Sequence, residues 1–158
     1  KMKNWYLIRA KYRQEKIAKQ NLKNQGYTVF CPMASINNKT VILFPGYLFI
    51  NLDEKTQNRS PINSTKGVLH FVKFGLIFAK VPETVIEFIK SNQQITAEKL
   101  KNLNNFKSGD KVRISDGAFK DYIAIFKCFK SDERVTLLLN LMGQEQSLSL
   151  QKKSIIAL

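Results

Sequence analysis

His70 is the chain's one histidine, and it stands between Leu69 and Phe71. A histidine works as a general acid or base only when a nucleophile or carboxylate is placed against it. One embedded in an apolar strand pattern packs or caps instead. Cys31 and Cys128 are far apart, form no C-x-x-C pair and have no second histidine to share a metal, so no metal site is expected. Two cysteines make no disulfide framework, which suits a reduced, cytoplasmic setting. Residues 1–92 hold only five carboxylates, none in a convincing acid–base pair, and the chain has neither a P-loop nor a G-x-G-x-x-G run. With no catalytic constellation, no metal and no cofactor indicated, the sequence reads as that of a binding protein and not an enzyme.

The side chains that remain are cations. Lysine and arginine number 26 against 12 acids, a net charge of +14. Folding does not need that imbalance. It implies a polyanionic partner, with nucleic acid first, an anionic membrane surface second, and a merely solvated basic face as the plain alternative. The charge is concentrated early: residues 1–92 carry a net +10, and the first 25 residues alone carry +7.

The elements that must position these cations come from periodicity. NWYLIRA (4–10) predicts a strand, and residues 11–25 a helix stopped by Gly26. On that helix Ala18 and Leu22 share one side with Gln14 and Gln25, while Lys16, Lys19 and Lys23 fall on the other. Residues 27–31 predict a second strand, 34–42 a short connection, and FPGYLFINL (44–52) a Pro-Gly turn feeding a strongly β-forming run. Residues 53–65 read as loop, 68–74 as a strand, and 82–91 as a helix opened by Pro82 and Glu83. Alternation puts Tyr47 and Phe49 on one sheet face and Leu48 and Ile50 on the other, so one of the two faces needs a cover.

The chain has 158 residues, 44% of them hydrophobic, enough for one mid-sized domain or two small ones with a sizeable core. No run approaches the ~20 apolar residues of a membrane span, and the first apolar stretch is too short for a secretory signal. The element order predicts an α+β fold with helices on a mainly antiparallel sheet over residues 1–91. Residues 92–108, rich in Asn, Gln and Lys, read as a linker, and residues 109–158 as a second domain. In that second domain two periods compete. RVTLLLNL, QSLSL and SIIAL alternate as barrel strands would, whereas Phe119, Tyr122, Ile123 and Phe126 stand at i, i+3, i+4, i+7, and residues 134–142 are equally ambiguous.

The ordered set Asn4-Trp5-Tyr6, FPGYLFINL (44–52), INSTKGVLHFVKFG (62–75) and GDKVRISDGAFKDYIAIF (109–126) resembles the NusG family of transcription elongation factors. The match is closest to its RfaH branch of operon-specific antiterminators, through residues 70–75, Ala124-Ile125-Phe126 and Leu137-Leu138-Leu139-Asn140-Leu141. The resemblance implies an N-terminal NGN domain and a C-terminal KOW region. That region is stored as a docked α-helical hairpin in an autoinhibited state and becomes a five-stranded SH3-like β-barrel when released. It implies a cytoplasmic monomer that binds the clamp helices of bacterial RNA polymerase, reads the non-template DNA strand at a pause site, suppresses pausing and termination, and recruits a small-subunit ribosomal protein.

Carried over residue by residue, the resemblance assigns polymerase contact to Tyr47, Phe49, Phe74, Ile86 and Ile89, types that suit a helix-in-groove contact. It assigns DNA contact to Lys11, Gln14, Asn21, Gln25, Asn63, Ser64, Thr65 and Lys66, types that neutralise phosphate or bond base edges. It assigns the interdomain contact to Phe126, Arg134, Leu138 and Leu141. Lys66 replaces the family's arginine, Asn21 a helix-one histidine, and Asn58-Arg59-Ser60 a His-Thr-Thr loop that touches a second part of the polymerase. Residues 32–43 hold no acid to pair with Arg134, and Gly143 falls where a second helix would run, so a weakened helical state is expected. A general NusG factor and a KOW-type ribosomal or RNA-binding protein are the competing readings.

Overall fold

The computed structural model describes residues 3–36, 38–91, 123–125 and 130–156. By contact density the chain divides into two compact units. One comprises Lys1–Cys31, Pro45–Glu83 and Met142–Leu158, and the other Pro32–Phe44 and Thr84–Leu141.

The first unit is built on β1 (Lys3–Ala10), whose four central residues, Trp5 to Ile8, are all buried. Such a strand must be covered on both faces, and the β-branched and aromatic residues here suit that position. It pairs antiparallel with β5 (Tyr47–Asp53) along its length, Trp5 opposite Asn51 and Arg9 opposite Tyr47. β2 (Thr28–Phe30) adds to the far side of β5. On the other edge of β1, β6 (Val68–Phe71) pairs near Arg9 and β9 (Lys80–Val81) near Trp5, completing a five-stranded sheet. Helix α1 (Glu15–Asn24) packs on β2 and β5, burying Ala18 and Leu22 and exposing Lys16 and Lys23. A short helix α2 (Ser60–Asn63), with Pro61 in its first turn where a missing amide costs nothing, lies against β6.

The register makes the two sheet faces explicit. Trp5, Leu7, Phe30, Tyr47 and Phe49 share one, and Tyr6, Ile8, Leu48, Ile50 and Phe71 share the other. Both are buried: Tyr47 is 8% exposed and Phe49 0%, against 0% for Leu48 and Ile50. The face that the alternation left in need of a cover is covered. The expected strand over 68–74 breaks after Phe71, and β7 (Lys73–Phe74) turns back on β8 (Ile77–Phe78) as a hairpin. Phe71, Phe78 and Tyr6 meet edge to face at 5.3–6.5 Å.

The second unit holds a hairpin that the sequence reading left as a plain connection: β3 (Met33–Ile36) pairs with β4 (Lys39–Ile42), turning through Asn38 at φ 62°. Asparagine tolerates that left-handed backbone. Helix α3 (Glu83–Ser91) buries Val85, Ile86 and Ile89. Residues 123–125 are helical. The long helix α4 (Ser131–Ile156), which belongs to the second unit up to Leu141 and to the first from Met142, stands where RVTLLLNL and QSLSL also allowed strands. Arg134, Leu138, Leu141 and Met142 form its buried stripe at i, i+4, i+7, i+8, so the helical period prevails in this state. The expected linker, residues 92–108, lies outside the described residues.

Candidate functional site

The DNA-assigned residues come from two stretches some forty positions apart, and the first unit brings them together. The Asn21 amide donates to the Lys66 carbonyl at 3.1 Å, and the Gln25 amide donates to the Thr65 hydroxyl at 2.8 Å. Lys11 N–H donates to the Gly67 carbonyl at 2.8 Å. Helix α1 and the α2–β6 loop are therefore stapled into one surface, with Lys11, Asn63, Ser64 and Lys66 exposed on it. Gly67 allows the close approach. Its φ is +96°, and a Cβ there would come within 2.7 Å of the Ala18 backbone nitrogen.

Three of the assigned side chains also make bonds within the fold. Thr65 is only 6% exposed, and its hydroxyl donates to the Pro61 carbonyl at 2.7 Å while accepting from Gln25. It holds the loop and offers nothing to a base. Gln25 and Asn21 each commit their amide NH2 to the staple and keep the carboxamide oxygen, while Lys11, Asn63, Ser64 and Lys66 stand exposed beside them. Gln14 is half-buried at the N-terminus of α1, with no side-chain cap bond.

The polymerase-assigned residues Tyr47 and Phe49 share one sheet face in the first unit. The Arg9 guanidinium stacks over the Tyr47 ring at 4.6 Å, and Phe30 packs against Phe49 at 6.0 Å. In the same unit Phe74, half-buried on β7, faces α4: a Cβ on Gly143 would meet its ring at 3.5 Å. Ile86 and Ile89 lie on the buried face of α3 in the second unit. Apart from Phe74, these side chains are buried rather than exposed anchors.

Among the interdomain residues, Leu138 and Leu141 are buried on α4, and Phe126 lies outside the described residues. Arg134 is 4% exposed, and its Nε donates to the Leu43 carbonyl at 2.9 Å, a backbone acceptor within the acid-free stretch 32–43. A buried guanidinium needs such bonds to offset its desolvation.

The loop after β5 carries its own network, which sequence reasoning missed. The Glu54 carboxylate accepts from both the Tyr6 hydroxyl and Arg59, and Arg59 stacks over the Phe78 ring at 3.9 Å. The Tyr6 hydroxyl holds the Glu54 carboxyl below its ordinary range, while burial pushes Tyr6 up to about 12. Arg59 is thus turned inward rather than presented by the Asn58-Arg59-Ser60 loop. Burial also pushes the Cys31 thiol up to about 11, which marks it as an inert packing residue. His70 is exposed with Nδ1 2.8 Å from the Phe71 carbonyl, an ordinary local bond. Among the described residues no cluster of His, Cys, Asp or Glu could hold a metal, and no helix is long and apolar enough to cross a membrane.

An antiparallel sheet with packed helices and a stapled basic surface is an α+β domain of the kind the sequence resemblance implied. Residues 3–90 match the family described as NusG, transcription termination factor nusG, and since that is over half of the chain, the chain belongs to the NusG family. It is 22% identical to the transcription termination/antitermination protein NusG of Chlamydia trachomatis, over 91% of this chain and 88% of the relative. It is 24% identical to the protein of the same name from Thermus thermophilus, over 96% and 97%. Among solved structures, one described as domain interaction in Thermotoga maritima NusG is 21% identical, covers 55% of each chain and has a TM-score of 0.44.

Proposed function

We propose that this chain is an operon-specific antitermination factor. It binds the clamp helices of bacterial RNA polymerase through Tyr47, Phe49 and Phe74 of the first unit and through Ile86 and Ile89 of the second. It contacts the non-template DNA strand through Lys11, Asn63, Ser64 and Lys66, and so disfavours paused and terminating states. The observation that carries this reading is α4. In a segment whose sequence also satisfies strand alternation, residues 131–156 are helical, with Gly143 against Phe74. A helix seated on an apolar side chain meant for a partner is what an autoinhibited factor needs, and release is then gated by a specific signal. Once released, residues 109–158 adopt the five-stranded barrel and engage a small-subunit ribosomal protein.

Chromatin occupancy tests the reading. Enrichment over a few long operons is expected, and uniform occupancy over all transcribed genes would overturn operon specificity. That second outcome is the general NusG reading, favoured by the names of the relatives above. Circular dichroism adds a structural arm: the intact chain is expected to show the α4 helix, and residues 106–158 alone a β spectrum.

A further inference from the structure

Beside the stapled surface, the first unit contains a cleft of about 610 Å³ that shares Lys11 with the DNA-assigned residues. Arg9, Lys11, Tyr12, Arg13, Gly46 and Leu69 are among its walls. Tyr12 is 81% exposed and Leu69 49%, an aromatic and an aliphatic side chain left in water at the rim of a cationic cleft. Tyr12 is held at the turn into α1, where Arg13 takes a left-handed φ of 56° that its own side chain disfavours. The Arg13 guanidinium lies 5.2 Å from the Tyr12 ring centroid, and Arg9 is fixed over Tyr47 on the cleft floor. Glu15 is the one acid in the lining, and it is buried with its carboxylate accepting from the Gly46 amide at 2.8 Å.

We propose that this cleft receives one unstacked base of single-stranded DNA on the Tyr12 ring, with its phosphate among Arg9, Lys11 and Arg13. An exposed aromatic flanked by cations is the arrangement that takes nucleotides from a single strand, because every base offers a π-face and every linkage a negative charge. The choice of deoxyribose follows the DNA-contacting reading and is put to the test against RNA below. The inference rests on the DNA-contacting half of the proposed function. It extends that contact from the α2–β6 loop across the Tyr12 turn and makes Tyr12 its aromatic anchor.

The test uses the full chain and a labelled mixed-sequence DNA oligomer of about twelve nucleotides, within the usual span of such sites. A 2-aminopurine base reports stacking. Tyr12→Ala is expected to weaken binding at least about fivefold and to abolish the quenching of 2-aminopurine, with the salt dependence unchanged, because stacking releases no counterions. Tyr12→Phe is expected to restore both. Because Tyr12 is exposed, neither variant should alter the thermal melt. If the parent chain binds the DNA and Tyr12→Ala binds equally well, or if Tyr12→Phe fails as badly as Ala, the inference falls while the DNA-contacting reading stands. If the parent chain binds no single-stranded DNA, both fall. Equal Tyr12-dependent binding of the matching RNA oligomer would overturn the choice of DNA.

Discussion

Arg13 pays a conformational cost at a position glycine would fill freely, since a side chain at φ 56° crowds its own carbonyl. Arg13→Gly is therefore expected to raise stability by roughly 0.5–1 kcal/mol, read as a higher denaturant midpoint at unchanged slope. The Tyr6–Glu54 bond makes stability depend on pH in two directions. The folded Glu54 carboxyl lies below its ordinary value of 4.5, so its contribution is complete above that value and is lost as pH falls through the folded value. Tyr6 is raised from 10 to about 12, so the contribution of its neutral form is complete below pH 10 and is lost as pH climbs from 10 to 12. Melts of the parent and Glu54→Gln across the acid range check the first sign: the variant should show a shallower loss. Phe49 shows how burial changes the reading of a residue. With 0% exposure, Phe49→Ala should cost about 3–5 kcal/mol of stability, so it probes the core before it probes any interface.

At the scale of elements, two glycines have opposite tolerance. Gly67 sits where α1 and the α2–β6 loop touch, and Gly67→Ala would drive a methyl into the α1 backbone at a left-handed φ. The expected loss is about 2–3 kcal/mol, with weakened DNA binding because the staple through Asn21 and Gln25 is pushed apart. Gly143 lies inside α4, and a Cβ there meets Phe74 at an ordinary 3.5 Å. Gly143→Ala should therefore fit, strengthen the helix by about 0.5–1 kcal/mol, and reduce polymerase binding by the free chain. Arg134→Ala should do the reverse, since it leaves the buried Leu43 carbonyl without its donor, at a cost of about 1–3 kcal/mol to the helical state. Far-UV circular dichroism and a polymerase pull-down read both shifts. If Gly143→Ala left both readouts where they were, α4 would not gate the Phe74 surface.

For the whole molecule, the charge of +14 predicts association that collapses with salt. Lys11→Ala and Lys66→Ala should each lower the slope of log affinity against log salt by about 1, provided that each lysine meets a phosphate. An unchanged slope in both variants would mark these lysines as solvated surface charge.

Hydrophobic alternation and the Pro-Gly turn are local properties, and they were enough to anticipate the central strands, helix α1 and helix α3. The pairing of Tyr47 with Phe49 on one face followed from a period of two and needed no structure. Tertiary structure decided what no local pattern encodes. It buried both sheet faces, joined Asn21 and Gln25 to Lys66 and Thr65 in a staple spanning forty residues of chain, and set Arg134 against the Leu43 carbonyl. It also chose between the two periods of residues 131–156. Leucines at 137, 138 and 141 satisfy strand and helix alike, and only the surface against which they are buried makes one of the two lower in free energy.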